Sequence, residues 1–294
     1  MDIKHGGEAT VTIDRDAGYV TKKLYQPISE LEEKLLQTNI SGYTTRVERI
    51  DDRTHRFKYA GDSIADQLKV TSTRRQLKKY LPEIMAQIVT TVQEAHDQGV
   101  ALMDIKPDNV CVEYTSAGPE VTIVDASPQY LGHRFKEPEQ GNLQVPGTPG
   151  YISWPSLVAQ HQRGLNETSE LDNHATVNPQ NDIYGLGMTL AYVLDQLDVT
   201  NVVNVGQMAT DSSYLNYMYE EDEEREVRHK STVPVDTQLL PSDLKGIYER
   251  SMFFLDNQYS SAAEFAADVK KIDLEEIEDY AYDALALKYA KQLR

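Results

Sequence analysis

Residues 9–13 and 19–24 alternate between apolar and polar side chains in the manner of strands, as Ala9-Thr10-Val11-Thr12-Ile13 and Tyr19-Val20-Thr21-Lys22-Lys23-Leu24. Asp14-Arg15-Asp16-Ala17-Gly18 between them suits a hairpin turn. Ser29 ahead of Glu30-Leu31-Glu32 reads as the cap of a short helix with Leu31, Leu35 and Leu36 on one face. Strand-like runs recur around Thr44–Ile50 and His55–Tyr59, so a small, mostly β unit is expected to end near Gly61. The period then lengthens. From Tyr80 to Gln98 the stripe Leu81, Ile84, Met85, Ile88, Val89 and Val92 marks a long buried helix closed by Gly99. Short strands bracket a loop at 100–125, Asp182–Leu197 is a second strongly apolar helix, and 243–254, 261–272 and 273–290 read as three more. The expected class is α+β, with a β-rich part over 1–61 and a helical part over 62–294. The acidic run Glu220-Glu221-Asp222-Glu223-Glu224 falls in a long loop without apolar periodicity and reads as a solvated insertion. There is no internal repeat.

Charge narrows the partners. The 47 acidic residues against 29 basic ones leave a net charge of −18, which repels nucleic-acid phosphate and anionic lipid and attracts a basic peptide or protein. A single cysteine, Cys111, excludes an internal disulfide and a cysteine zinc cluster. No apolar run approaches the ~20 residues that span a bilayer. Met1-Asp2-Ile3-Lys4-His5-Gly6 lacks the apolar core of a signal peptide, so a reducing, cytoplasmic setting is expected.

The chemistry concentrates in Asp104-Ile105-Lys106-Pro107-Asp108-Asn109, followed after a strand and hairpin by Val124-Asp125. Phosphoryl transfer from ATP needs a carboxylate to orient the attacking hydroxyl, divalent metal to neutralise the phosphates, and a cation for the developing charge. Asp104 suits the first role, and Lys106 can reach the transferred group. Asn109 and Asp125 offer the hard oxygen ligands that Mg²⁺ prefers. Taken alone, the Asp-Pro-Asn combination would also serve as a capped turn.

Four blocks in order resemble the eukaryotic-type protein kinase family over most of the chain. Leu102-Met103-Asp104-Ile105-Lys106-Pro107-Asp108-Asn109-Val110 is similar to the catalytic loop, and Asp125-Ala126-Ser127 stands where the family has Asp-Phe-Gly. Gly147-Thr148-Pro149-Gly150-Tyr151 matches the end of the activation segment, and Asp182-Ile183-Tyr184-Gly185-Leu186-Gly187 resembles the helix whose Asp braces the catalytic loop. Aminoglycoside-kinase-like relatives share the first two blocks, whereas the Thr148 and Asp182 blocks favour the protein-kinase branch. The resemblance implies a two-lobed fold, Mg²⁺ and ATP as cofactors, Asp104 and Lys106 as catalytic residues, and Asn109 and Asp125 as metal ligands. Thr148 would contact Asp104 and Lys106, and Lys106 two residues after the base implies Ser/Thr specificity. His5-Gly6-Gly7-Glu8-Ala9-Thr10-Val11 can be laid on the glycine-rich loop, with Gly6 at its second glycine. Val11, Val20 and Cys111 would enclose adenine. Lys22, with Lys23 as competitor, would hold the α- and β-phosphates, and Glu32 would pair with that lysine. Phe57 falls at the gatekeeper position, ahead of a hinge in which the backbone of Tyr59 and Ala60 would bond the adenine edge.

The pattern also departs from the family. Leu102-Met103 replaces His-Arg, which removes the usual partner of an activation-segment phosphate. Ala126 and Ser127 replace Phe and Gly, with Leu102 available to fill part of the space. Ser153-Trp154-Pro155-Ser156 lacks the Glu of the Ala-Pro-Glu block, and Tyr259 stands about where its Arg partner belongs, so neither charge is left unpaired. Because the polar groups of phosphoryl transfer are all present, an active Ser/Thr kinase is expected. A pseudokinase scaffold and a small-molecule kinase are the alternatives.

Overall fold

The computed structural model describes residues 2–5, 9–38, 40–135, 145–148, 150–152, 176–200, 240–252 and 257–277. Strands β1 (Asp2–His5), β2 (Ala9–Asp14), β3 (Tyr19–Leu24), β4 (Arg46–Arg49) and β5 (Thr54–Lys58) form a five-stranded antiparallel sheet in the order β1-β2-β3-β5-β4. The class is therefore mixed α+β, with this sheet accompanied by several helices. Val11 lies opposite Lys22 and Lys22 opposite His55, while Ile13 lies opposite Val20 and Val20 opposite Phe57. Opposed residues point to the same side of a pleated sheet, and alternate residues return to it, so Val11, Val20, Lys22, His55 and Phe57 share one face. Thr10, Thr12, Thr21 and Arg56 take the other face, which explains the alternation in the sequence. Strand β1 lies outside the predicted strands. Its four residues are all exposed and only Ile3 is apolar, so it carries no alternation to read.

Helix α1 (Glu30–Gln37) begins as expected at Ser29, whose Oγ accepts the Glu32 N–H at 3.1 Å. It buries Leu35, and Glu33 pairs with Arg46 of β4 at 2.6 Å. The Arg46 guanidinium holds the Glu33 carboxyl down to about 2. The return from α1 to β4 is tied to the rest of the protein. Thr91 Oγ1 donates to Ser41 O at 2.8 Å, Ile123 N–H to Gly42 O at 2.7 Å, and Thr44 N–H to Ile123 O at 3.0 Å. A Cβ on Gly42 would clash with Thr91 Oγ1, and φ is +71°, so only glycine fits this crossing.

Beyond the sheet come β6 (Asp62–Ser63), α2 (Ile64–Gln67) and α3 (Thr71–Asp97). They are followed by β7 (Val100–Ala101), β8 (Val110–Thr115), β9 (Gly118–Ile123) and β10 (Gln129–Tyr130). Strands β6, β8 and β9 make a three-stranded sheet, and β7 pairs with β10. Helix α3 starts well before the expected Tyr80, and its buried set up to there is Leu77 alone, too little for a visible stripe. It runs through Pro82, which has no N–H to give to the preceding turn. Helix α4 (Pro179–Gln196) starts three residues before the predicted Asp182. Asn178 Oδ1 accepts the Gln180 N–H, Asn181 Oδ1 accepts the Asn178 N–H, and Pro179 supplies a preset φ. Nearly every residue from Asn181 to Leu194 is buried, so α4 is the central helix rather than an amphipathic one. Helices α5 (Ser242–Met252) and α6 (Ala262–Val269) pack around it, with Ile84, Ile88, Leu186, Leu190, Tyr248 and Phe265 in one continuous core. The expected helices 243–254 and 273–290 run past the described residues, and the acidic run, Gly6 and Ser153–Ser156 lie outside them. No helix of the described residues is long and apolar enough to cross a membrane.

His55 is fully buried on β5, with neither ring nitrogen in hydrogen-bond geometry with a protein partner. Desolvation lowers its pKa, the charges of Arg46 and Arg49 add to this, and the nearby Asp52 backbone offsets part of it. The unfolded chain therefore binds the proton more readily. Stability contributed by neutral His55 is complete above the unfolded value near 6.5 and is lost as pH falls below it, towards the lower folded value. A His55→Leu variant is expected to show a flatter fall in urea midpoint between pH 7 and pH 5 than the natural chain. Parallel curves would remove His55 from the account.

Candidate active site

The site is assembled on the loop between β7 and β8, and α4 holds that loop. Asp182 is fully buried in the first turn of α4. Its Oδ2 accepts the Leu102 N–H at 2.8 Å and its Oδ1 the Met103 N–H at 2.6 Å, while His96 Nε2 of α3 lies 2.9 Å from Oδ2. Met103 adopts φ +68°, a strained value for a side chain of this kind, and the paired hydrogen bonds to Asp182 fix it there. One turn along α4, Gly185 lets the loop approach, since a Cβ there would meet Ile105 O at 3.1 Å. Thr189 Oγ1 donates to the same carbonyl at 3.3 Å.

This seat presents Asp104 to a ring of donors. Oδ2 accepts from Lys106 Nζ at 2.7 Å and from Asn109 Nδ2 at 2.9 Å, and Oδ1 accepts the Thr148 N–H at 2.8 Å. Lys106 Nζ also donates to Thr148 Oγ1. Asp104 and Lys106 keep only 11% and 18% of their side-chain surface in contact with solvent, so the carboxylate and ammonium face each other in a sheltered setting. Asn109 Nδ2 additionally reaches Asp104 O at 2.9 Å and Asp125 O at 3.2 Å, which turns the amide nitrogen inward and leaves Oδ1 as its outward acceptor. Asp125 follows at φ +53°, a left-handed value that Asp tolerates better than most residues.

Of the two candidate lysines, it is Lys22 whose Nζ meets Asp125, at 2.7 Å to Oδ1. Lys23 is exposed and sits opposite Thr10 on the far face. The Lys22 side chain is 13% exposed and the Asp125 side chain 49%, so the pair joins the sheet to the loop with one carboxylate oxygen still open. Cys111 lies against the same space: burial raises its thiol pKa to about 12, and the charges of Asp125 and Asp62 add to the effect. Glu32 and Asp125 both act on the buried phenol of Tyr43, whose pKa is raised first by burial and then by these two carboxylates, which brings α1 to the same region. Val11 and Val20 flank Lys22 on its sheet face.

Tyr59 already uses its N–H within the fold. Its N–H donates to Gly18 O at 2.9 Å, continuing the β3–β5 ladder, so it is committed rather than available to a ligand. Its hydroxyl binds Asp62 Oδ1 at 3.0 Å and accepts from Arg15 Nε at 3.2 Å. The Ala60 N–H makes no bond among the described residues. Two ion pairs that sequence alone did not suggest cross beside this segment, Arg15–Asp62 at 2.8 Å and Lys4–Asp66 at 2.6 Å. Gly6 and Pro149 lie outside the described residues.

Two of the family departures have structural counterparts. Leu102 and Ala126 are buried in the same core cluster, and Ser127 N–H donates to Leu102 O at 2.9 Å, so the backbone here is tied to Leu102. Tyr259 is fully buried, donates to Asp268 Oδ2 at 3.0 Å and lies under the Arg250 guanidinium at 3.9 Å. No group of three or more His, Cys, Asp or Glu among the described residues is placed to hold a metal ion. Among the described residues, Asn109 Oδ1 and Asp125 Oδ2 accept no hydrogen bond and offer oxygens beside the loop. No protein-family model matches the chain, and no curated protein matches its sequence.

Proposed function

We propose that this chain is a Mg²⁺-ATP-dependent protein kinase of two-lobed architecture that phosphorylates Ser or Thr hydroxyls. The observation that carries the reading is the hydrogen-bonded group in which Lys22 of β3 and Asp125 beyond β9 meet the loop residues Asp104, Lys106 and Asn109. A substrate hydroxyl held at Asp104 would attack the γ-phosphorus, the bond to the bridging oxygen of ADP would break, and the hydroxyl proton would pass to the carboxylate. Lys106 would neutralise charge on the transferred group, and Lys22 would position the nucleotide. Two protein oxygens make a poor free-standing metal site, yet they suit Mg²⁺, which binds through one or two protein oxygens and completes its shell from phosphates and water. The strong negative charge favours a basic protein as substrate and disfavours nucleic acid.

A scaffold reading has one observation in its favour, the direct contact between Lys22 and Asp125, which must open for nucleotide and metal to enter. Thermal stabilisation by ATP with Mg²⁺ and transfer of labelled γ-phosphate to a basic protein such as histone or myelin basic protein separate the two. Both signals are expected. Stabilisation without transfer to a broad protein and peptide panel would reduce the chain to a nucleotide-binding module, and neither signal would overturn the assignment.

A further inference from the structure

Against the Lys58–Ala60 segment lies a cavity of about 360 Å³ that includes none of Val11, Val20, Lys22, Cys111 or Asp125. Its walls come from four places: the α1–β4 return at Ser41–Thr45, the end of β5 with the following segment, the α3 face at Gln87–Thr91, and the β8–β9 hairpin. The volume falls in the range of small-molecule sites.

The lining is weighted towards acceptors, beside the hydroxyls of Ser41, Thr45 and Thr122. Thr90 Oγ1 donates to Ala86 O and Thr91 Oγ1 to Ser41 O, so both hydroxyl hydrogens are committed and their oxygens can only accept. Gln87 has its oxygen on the Val121 N–H and one amide hydrogen on Pro119 O, which leaves it a single N–H to donate. Glu113 and Glu120 also line the cavity and stand directly opposite each other across β8 and β9. Like charges in that register destabilise a strand pair, and both are acceptors only. Lys58 is the cation on the wall, one ammonium against two carboxylates. The cavity is rich in acceptors and net negative.

From this we infer that the cavity is a binding site for a small organic cation rich in N–H or O–H donors, of the polyamine or amino-polyol class. The opposed Glu113–Glu120 pair holds the ammonium, and the threonine oxygens accept from the remaining donors. The cavity shares the Tyr59–Ala60 segment with the cleft assigned to ATP but none of Val11, Val20, Lys22, Cys111 or Asp125, and binding in it does not depend on phosphotransfer.

Calorimetry on the full chain at about 150 mM salt, with spermidine and glucosamine as probes, tests it. At least one probe is expected to bind saturably at one per chain and to remain bound in saturating ATP and Mg²⁺. Glu113→Gln with Glu120→Gln is expected to weaken it by about tenfold or more. Asp16→Asn with Glu30→Gln, the same charge change on exposed positions elsewhere, is expected to leave it intact. Thr90→Trp, on an exposed wall position, is expected to exclude the probe while the chain stays folded by circular dichroism. Equal weakening by both charge pairs would mean non-specific attraction to an acidic protein, displacement by ATP would assign the probe to the other cleft, and binding of neither probe would leave no such site. Each of these overturns the inference.

Discussion

Asp104→Asn is expected to lower phosphate transfer by at least about 10²–10⁴-fold, the span that a positioned general base contributes, while thermal stabilisation by ATP and Mg²⁺ stays close to that of the natural chain. The asymmetry follows from how the site is divided. Under the proposed function, the groups that would face nucleotide and metal are Lys22 on β3, Asn109 at the end of the loop and Asp125 beyond β9. Asp104 faces Lys106, Asn109 and Thr148. An asparagine there keeps one oxygen for the Lys106 and Asn109 donors and turns its NH₂ towards the Thr148 N–H, where two donors then meet. That mismatch costs about 1–3 kcal/mol locally, so a drop in melting temperature should accompany the loss of turnover and is no evidence against it. The decisive readout is transfer per folded molecule. Undiminished labelling by the variant would remove Asp104 from the chemistry and the kinase proposal with it.

What could be read from the sequence divides by range. Asp104, Lys106 and Asn109 lie within six residues, and a Pro-containing loop between short strands leaves them little choice but to converge. The strand alternation at 9–24 and the stripe of α3 were visible because one face is buried and the other is not. Strand β1 was not visible, since an exposed edge strand needs no apolar pattern. The contact of Lys22 with Asp125 was legible only as two roles, because their meeting depends on the whole path through α1 and α3. The glycine at 42 gave no signal, since its need arises from Thr91 on a helix far along the chain. The pairing of the Tyr59 N–H with Gly18 O gave no signal for a related reason, since it depends on how far the β3–β5 ladder extends.

The largest stability loss is expected from Asp182→Ala. The carboxylate is fully buried and receives the backbone N–H groups of Leu102 and Met103 together with the His96 ring. Removing it leaves buried donors without an acceptor and opens a small void in the most apolar part of the chain. Breaking a buried, hydrogen-bonded charge in this way costs about 3–5 kcal/mol, a large share of the 5–15 kcal/mol that holds a typical domain. Urea unfolding should show a much lower midpoint with little change in slope. The effect extends to the site, because Met103 keeps φ +68° only while its N–H is held, and Asp104 is the next residue. Phosphate transfer by the folded fraction should therefore fall as well. His96→Ala serves as the comparison: it removes one partner and leaves both backbone bonds to Asp182 in place, so it should cost far less and spare turnover. If both variants unfold at the same urea concentration, the backbone bonds are not what Asp182 contributes, and the loop is held chiefly by the close packing of Gly185 against Ile105.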